Sequence, residues 1–112
     1  MQKEVSFEIS CEELRDLLAS GEAFQLIDCR GEDEYAICKI DGAKLVPLQT
    51  IPVAIPQRIP DKGDRVVVYC HHGMRSARAT EYLRSMGYAR SQSLAGGIDQ
   101  WTQRIDPSLQ RY

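Results

Sequence analysis

The sequence lacks long hydrophobic runs. None of its segments approaches the roughly 20 consecutive apolar residues that a membrane-spanning helix requires. The opening residues MQKEVS also contain no apolar stretch of the kind found at the centre of a secretory signal peptide. We therefore expect a cytoplasmic protein that does not bind membranes.

Paired cysteines are also lacking. The four cysteines stand at positions 11, 29, 38 and 70, and no two of them form a Cys-x-x-Cys pair. Structural zinc sites commonly contain such pairs, and disulfide-rich domains are typical of secreted rather than cytosolic proteins. We therefore predict no structural metal and no disulfide framework, and we expect no cofactor.

An excess of charge of either sign is absent, because 14 basic and 16 acidic residues leave a net charge of −2. A nearly neutral chain is not expected to bind nucleic acid. The charge is nevertheless unevenly placed, since residues 1–42 contain 11 acidic and 4 basic residues whereas residues 43–112 contain 5 and 10. Two interpretations of the basic part stay open: a solvated surface with scattered arginines, or a field that attracts an anionic substrate.

The order of predicted elements indicates one α/β domain over residues 1–112, without repeats or linkers. Strands are predicted at 6–9, 24–28, 43–46, 65–69 and 91–94. Helices are predicted between Ser10 and Gly21 and at 32–38, 76–86 and 98–105, with only a brief one in the proline-rich segment 47–60. Alternating strands and helices predict a sandwich with a mainly parallel sheet, in which sites lie at the carboxyl ends of strands.

A cysteine stands where one of these strands ends. Cys70 directly follows the strand at 65–69, and a tight loop leads from it into a helix. Inward-facing loop amides and the helix dipole, which adds about half a positive charge, favour an anion at this place. A thiol there is expected to have its pKa lowered from about 8.5 into the range of roughly 3.5–7.5, which makes Cys70 a candidate nucleophile.

The residues after Cys70 suit an anionic substrate. Gly73 permits the backbone angles that a curled loop requires. Arg75 offers a fixed, planar cation to an oxyanion. Ser76 is predicted to cap the following helix and to bond to the sulfur, and the amides from His71 onwards are expected to face inward.

Four ordered motifs over roughly residues 5–104 resemble the rhodanese-like sulfurtransferase family. They are Cys-His-His-Gly-Met-Arg-Ser at 70–76, Leu-Ile-Asp-Cys-Arg at 26–30 with Glu34-Tyr35, Ile-Asp-Gly-Ala at 40–43 with Val-Pro-Leu at 46–48, and Leu-Ala-Gly-Gly-Ile at 94–98 with Trp101. The resemblance implies a three-layer sandwich whose central sheet has about five strands. It also implies an enzyme that moves a sulfane sulfur from a donor such as thiosulfate, through a persulfide on Cys70, to cyanide, a thiol or a protein.

The resemblance assigns roles to the neighbours of the catalytic cysteine. The expected substrate-binding residues are His71, His72, Gly73, Met74, Arg75 and Ser76. Asp28, Arg30 and Glu34 are expected to brace the loop from beneath, with Arg30 paired either with Glu34 or with Asp28. We predict a monomer.

A second thiol near the nucleophile is a further alternative. Cys29 replaces the aliphatic residue usual at its position in the family, and we interpret it as a small core residue, like Cys11 and Cys38. If Cys29 or Cys38 lay close to Cys70, the protein would be a redox relay rather than a simple transferase.

Two other functions stay open. The tail at 105–112, together with residues 35–38, resembles rhodanese domains fused to enzymes that activate ubiquitin-like proteins, which favours a persulfide carrier fed by a partner protein. The loop also resembles those of cysteine-dependent phosphatases and arsenate reductases, which have five residues between cysteine and arginine. Only four separate Cys70 from Arg75, and the shorter loop suits a sulfur atom better than a phosphate group.

Overall fold

In the part of the chain that the structure describes, residues 4–112, five parallel strands form one sheet. In this computed structural model the strands are β1 (Glu8–Ile9), β2 (Gln25–Asp28), β3 (Lys44–Leu45), β4 (Val66–Tyr69) and β5 (Ser91–Leu94). Their order across the sheet is β1-β5-β4-β2-β3, and every pair of neighbours is parallel. The carboxyl end of the central strand β4 therefore lies between those of β2 and β5.

The same residues form five α-helices, which cover both faces of the sheet. They are α1 (Cys11–Ser20), α2 (Glu32–Ile37), α3 (Ile51–Arg58), α4 (Met74–Ser85) and α5 (Gly97–Arg104), and a 3₁₀ turn (Leu48–Thr50) precedes α3. The predicted three-layer α/β sandwich with its parallel sheet is confirmed. The assignment of residues 1–112 to a single domain stays a prediction.

Alternation along β4 separates two hydrophobic cores. Val67 and Tyr69 point into a core that α1 and α5 complete. Val66, Val68 and the following residue, Cys70, point into a second core that α3 and α4 complete. Because both faces of the sheet are covered, β4 is a continuous apolar run, as is typical of buried parallel strands.

Local sequence signals correctly predict the start of α1 but not the start of α4. Ser10 and Glu13 form the predicted capping box of α1, with each side chain accepting from the other residue's backbone N–H at 3.0 and 2.9 Å. The predicted start of α4 at Ser76 is wrong, because the helix begins at Met74 and Ser76 lies inside its first turn. No helix among residues 4–112 is both long enough and apolar enough to cross a membrane.

Candidate active site

The nucleophile candidate lies at the carboxyl edge of the sheet. Cys70 directly follows β4, and the register of the strands brings the ends of β2 and β5 beside it. The residue as a whole is only 1% exposed. The loop 70–73 then turns directly into the first turn of α4.

Backbone amides and a hydroxyl surround the sulfur of Cys70. The N–H groups of Gly73 and Ser76 donate to Sγ at 3.1 and 3.3 Å, and Ser76 Oγ lies 3.5 Å from it. Gly73 has a φ of +110°, a left-handed conformation that favours glycine and lets the chain curl back over the sulfur. Of the amides from His71 to Ser76 that are predicted to face inward, those of Gly73 and Ser76 donate to the sulfur.

The Ser76 hydroxyl is itself held from β5. Ser76 Oγ and Ser93 Oγ are 2.7 Å apart, and both residues are buried. Ser76 is therefore not the helix cap that the sequence predicted, because its side chain faces the sulfur and Ser93 instead. Sequence reasoning missed Ser93. A serine in a strand of a sheet that is covered on both faces nevertheless indicates that a polar partner lies close to its hydroxyl.

The surroundings favour the ionised form of the nucleophile. The pKa of Cys70 is lowered to about 4, first by a hydrogen bond from the Cys29 thiol and then by the Ser76 hydroxyl and the amides of Ser76 and Gly73, which together outweigh burial. The pKa of Cys29 is raised, by the same hydrogen bond, by burial and by the negative charge on Cys70. At neutral pH the site therefore holds a thiolate at Cys70 and a protonated thiol at Cys29.

The start of α5 fixes the other side of the loop. The amides of Ile98 and Asp99 donate to the carbonyls of Cys70 and His71 at 2.9 and 3.0 Å. Gly97 permits this contact, because a Cβ there would lie 2.5 Å from the His71 carbonyl oxygen and 2.6 Å from that of Cys70. Gly97, the first residue of α5, is thus a contact surface for the loop.

The loop arginine is tied into a network of charges. Arg75 donates from Nη1 and Nη2 to the two carboxylate oxygens of Glu34, at 2.7 and 2.9 Å. Arg75 first, and the Tyr112 hydroxyl at 2.8 Å, help lower the pKa of Glu34 to about 2. Arg30 in turn donates to Tyr112 Oη at 2.7 Å and is fully buried against Asp28, to which it makes two side-chain bonds of 2.9 and 2.7 Å.

This network settles how the bracing residues pair. The sequence left two partners open for Arg30. In the structure Arg30 forms an ion pair with Asp28, whereas Glu34 forms one with Arg75. Tyr112 links the two ion pairs, and no local sequence pattern indicates this contact because Tyr112 lies 78 residues from Glu34. Glu34 contacts the loop directly through Arg75, whereas Arg30 reaches it through Tyr112, which stacks on His71.

A cavity of about 210 Å³ lies at the loop that begins with Cys70. Its lining residues are Cys70, His71, His72, Met74 and Arg75. Met74 is 75% exposed at the rim. A larger groove of about 470 Å³, which includes Glu13, Glu22 and Arg65, lies where the strands begin and contains neither cysteine nor histidine.

The two histidines have different surroundings. His71 stacks on the Tyr112 ring with centroids 3.9 Å apart and an interplanar angle of 7°. Its buried Nε2 has no hydrogen-bond partner among residues 4–112. His72 is exposed, and its Nδ1 lies 3.9 Å from Asp99 Oδ2. Within residues 4–112, no three histidine, cysteine or acidic side chains are grouped so that they could hold a metal ion.

Comparison with known proteins agrees with this architecture. A model of the rhodanese-like domain family matches residues 10–104. The chain is 36% identical over 104 residues to the probable adenylyltransferase/sulfurtransferase MoeZ of Mycobacterium tuberculosis, covering 93% of this chain but spanning only about a quarter, 26%, of that relative. It is 33% identical over 108 residues to the human thiosulfate:glutathione sulfurtransferase, covering 86% of this chain and 93% of the relative.

A solved structure shows the same fold. The crystal structure of a rhodanese-like domain protein from Staphylococcus aureus superposes with a TM-score of 0.76 at 29% identity, covering 96% of this chain and 99% of the other. The match of fold, motifs and family model extends over most of the chain. The chain belongs to the rhodanese-like domain family.

Proposed function

We propose that the protein is a sulfurtransferase that takes a sulfane sulfur from an anionic donor such as thiosulfate and carries it as a persulfide on Cys70. The observation that carries this proposal is the position of Cys70, which lines an open cavity while the amides of Gly73 and Ser76 donate to its Sγ. Such a site stabilises negative charge on sulfur without a metal. The names of the related sulfurtransferases support the same reaction class.

The first half-reaction follows from the thiolate. Cys70–S⁻ attacks the outer sulfur of thiosulfate, the S–S bond of the donor breaks with its electron pair, and sulfite leaves, so that Cys70–S⁻ and S₂O₃²⁻ give Cys70–S–S⁻ and SO₃²⁻. With a pKa of about 4, the thiol of Cys70 is ionised at neutral pH and needs no general base. The negative charge stays beside the same amide donors.

The second half-reaction regenerates the thiolate. A nucleophile such as cyanide or a thiolate attacks the outer sulfur, and Cys70 leaves as Cys70–S⁻. With cyanide the products are thiocyanate and the free enzyme. The outer sulfur would project into the cavity, where an acceptor reaches it from solvent.

Arg75 is proposed to hold the oxyanion of the donor. A guanidinium has five N–H donors, and Glu34 takes two of them, which leaves donors for a second anion. Glu34 also offsets the positive charge, so Arg75 would orient the donor more than it attracts it. We propose that His71, His72 and Met74 line the donor path, because they surround the same opening.

A carrier fed by a partner protein is the second candidate. It is favoured by the relation to MoeZ, of which this chain matches only about a quarter. Such a carrier would hold the same persulfide on Cys70 but would receive the sulfur from a protein instead of from thiosulfate.

The test is the intact mass of the purified protein after incubation with thiosulfate. The wild type is expected to gain one sulfur atom and to lose it on addition of cyanide. Cys70→Ser should gain nothing, whereas Cys38→Ala, in which a buried thiol of the other core is removed, should load like the wild type.

The outcomes separate the candidates. Loading of Cys70→Ser would overturn the assignment of the nucleophile. A wild type that thiosulfate cannot load, but that acquires sulfur from a cysteine desulfurase with its cysteine substrate, would favour the carrier. Loading by neither route, together with hydrolysis of an aryl phosphate that depends on Cys70, would overturn both in favour of a phosphatase.

A further inference from the structure

We propose that Cys29 is a resolving thiol of this site, which closes a disulfide with Cys70 whenever the Cys70 sulfur carries a leaving group. The persulfide route to this disulfide rests on the proposed sulfurtransferase function, whereas a peroxide route does not. The disulfide would release a stored sulfur as hydrosulfide and would protect the nucleophile from irreversible oxidation.

The sheet places the two cysteines side by side. Asp28 of β2 pairs with Tyr69 of β4, and the next residues of the two parallel strands are Cys29 and Cys70. The hydrogen bond from Cys29 N to Tyr69 O, 3.0 Å, shows that pairing continues to this position. Neighbouring strands lie about 4.8 Å apart, which is within the roughly 4.4–6.8 Å between Cα atoms that a disulfide requires.

Both side chains lie on the same face of the sheet. Cys29 and Cys70 belong to the core that α3 and α4 cover, whereas Cys11 and Cys38 belong to the core on the opposite face. Cys29 is also the largest single influence on the pKa of Cys70, as expected for two thiols that are neighbours on one face. Among the four cysteines, which are all free thiols, only Cys29 is thus placed to attack Cys70.

Access to the two sulfurs differs. Cys70 lines the cavity of about 210 Å³, whereas Cys29 is 1% exposed and takes no part in its lining. The outer sulfur of a persulfide would occupy the cavity, so Cys29 reaches only the inner sulfur, from the core. When Cys29 attacks the inner sulfur, the outer sulfur is the leaving group. The stored sulfur is therefore released and is not transferred to Cys29.

The persulfide route balances without an added oxidant. Cys29–SH and Cys70–S–S⁻ give Cys29–S–S–Cys70 and HS⁻: the new S–S bond forms at the inner sulfur, the old one breaks, and the proton of Cys29 leaves on the departing sulfur. The two cysteines are oxidised and the sulfane sulfur is reduced. An acceptor in the cavity competes with this step.

The peroxide route uses hydrogen peroxide as the oxidant. Cys70–S⁻ and H₂O₂ give Cys70–SOH and hydroxide, and Cys29–SH then displaces water to form the same disulfide. In the resting state Cys29 keeps its proton, since the charge on Cys70 and burial raise its pKa. Oxidation of the Cys70 thiolate to the neutral sulfenic acid removes that charge, which makes the Cys29 thiol easier to ionise in the peroxide route.

The experiment treats the full chain with hydrogen peroxide, blocks the remaining thiols under denaturing conditions and maps the peptides by mass. The wild type is expected to lose two of its four thiols and to yield a peptide pair linked through Cys29 and Cys70, which dithiothreitol separates. Cys29→Ala should instead accumulate sulfinic acid at Cys70. Cys38→Ala is the matched control and should behave like the wild type.

A second arm loads the protein with thiosulfate, removes the donor and measures released sulfide without an acceptor. The wild type is expected to release sulfide with formation of the same linked peptides, and Cys29→Ala should retain its persulfide. If no persulfide forms, the proposed function fails while the peroxide arm still tests Cys29. Sulfinic acid at Cys70 in the wild type, with no linked peptides, would overturn the resolving role, as would a link to Cys11 or Cys38.

Discussion

Arg75, which lines the cavity at Cys70, forms a bidentate ion pair with Glu34, with nitrogen–oxygen distances of 2.7 and 2.9 Å. The guanidinium of Arg75 is therefore anchored to Glu34 of α2. Glu34 also accepts from Tyr112, which in turn accepts from Arg30 of the buried Asp28–Arg30 pair. Its orientation is fixed before a substrate arrives, and part of its charge is already compensated.

Removal of the Arg75 side chain should weaken donor binding. We expect Arg75→Ala to raise KM for thiosulfate by about 10- to 150-fold, because a hydrogen-bonded charge is worth about 1.5–3 kcal/mol. Arg78→Ala, which removes an exposed arginine one turn of α4 away, should leave KM unchanged. Steady-state kinetics at constant ionic strength measure both, and an equal change in the two variants would assign the effect to bulk charge.

The Glu34 carboxylate should make folding stability depend on acid pH. Its pKa is lowered to about 2 in the folded protein, first by Arg75, so its contribution is complete above the unfolded value near 4.5 and is lost as pH falls toward 2. Because the pair is partly exposed, we expect Glu34→Gln to cost about 1 kcal/mol at pH 7 and nearly nothing at pH 2.

Urea denaturation at several pH values checks this loss. Glu32→Gln changes an exposed carboxylate in the first turn of the same helix and is the matched control. A Glu34→Gln penalty that is as large at pH 2 as at pH 7 would contradict the ion pair as its cause.

The ionisation of Cys70 should depend on the hydroxyl of Ser76. Alkylation of the wild type by iodoacetamide is expected to keep its rate from pH 7 down to pH 5 and to fall by half near pH 4, where the thiolate is protonated. Ser76→Ala removes a donor to the sulfur and should move this midpoint upward by about one pH unit.

Alkylation rates followed by mass spectrometry give the two midpoints. Ser85→Ala, at the exposed end of α4, should keep the midpoint of the wild type. An unchanged midpoint in Ser76→Ala would mean that the hydroxyl does not stabilise the thiolate and serves its contacts with Ser93 and the Gly73 carbonyl instead.

A methyl group at Gly97 should displace the active-site loop. Its Cβ would lie 2.5 and 2.6 Å from the carbonyl oxygens of His71 and Cys70, and Gly97 has a φ of +62°. We expect Gly97→Ala to lower stability by about 1–3 kcal/mol and to reduce kcat more than it raises KM. Gly21→Ala adds a methyl group at a φ of +78° with open space around it, so it isolates the backbone cost from the effect on the loop.

Several elements could be predicted from the sequence because their causes are local. The capping box at Ser10 and Glu13 placed α1, and the apolar run before Cys70 placed the central strand. The predicted start of α4 was wrong because Gly73, in a left-handed conformation, is the N-cap, so the helix begins at Met74, two residues before the predicted start at Ser76. The position of Arg75 beside the cavity followed from its spacing to Cys70.

The sequence by itself determined that a cysteine ends a buried parallel strand and that a short, glycine-containing loop follows it, because both are properties of adjacent residues. Only the tertiary structure decided the partners. Arg75 meets Glu34 across 41 residues, and Cys29 meets Cys70 because the register of β2 and β4 sets them side by side. Such contacts depend on how strands pair and helices pack, which no local pattern specifies.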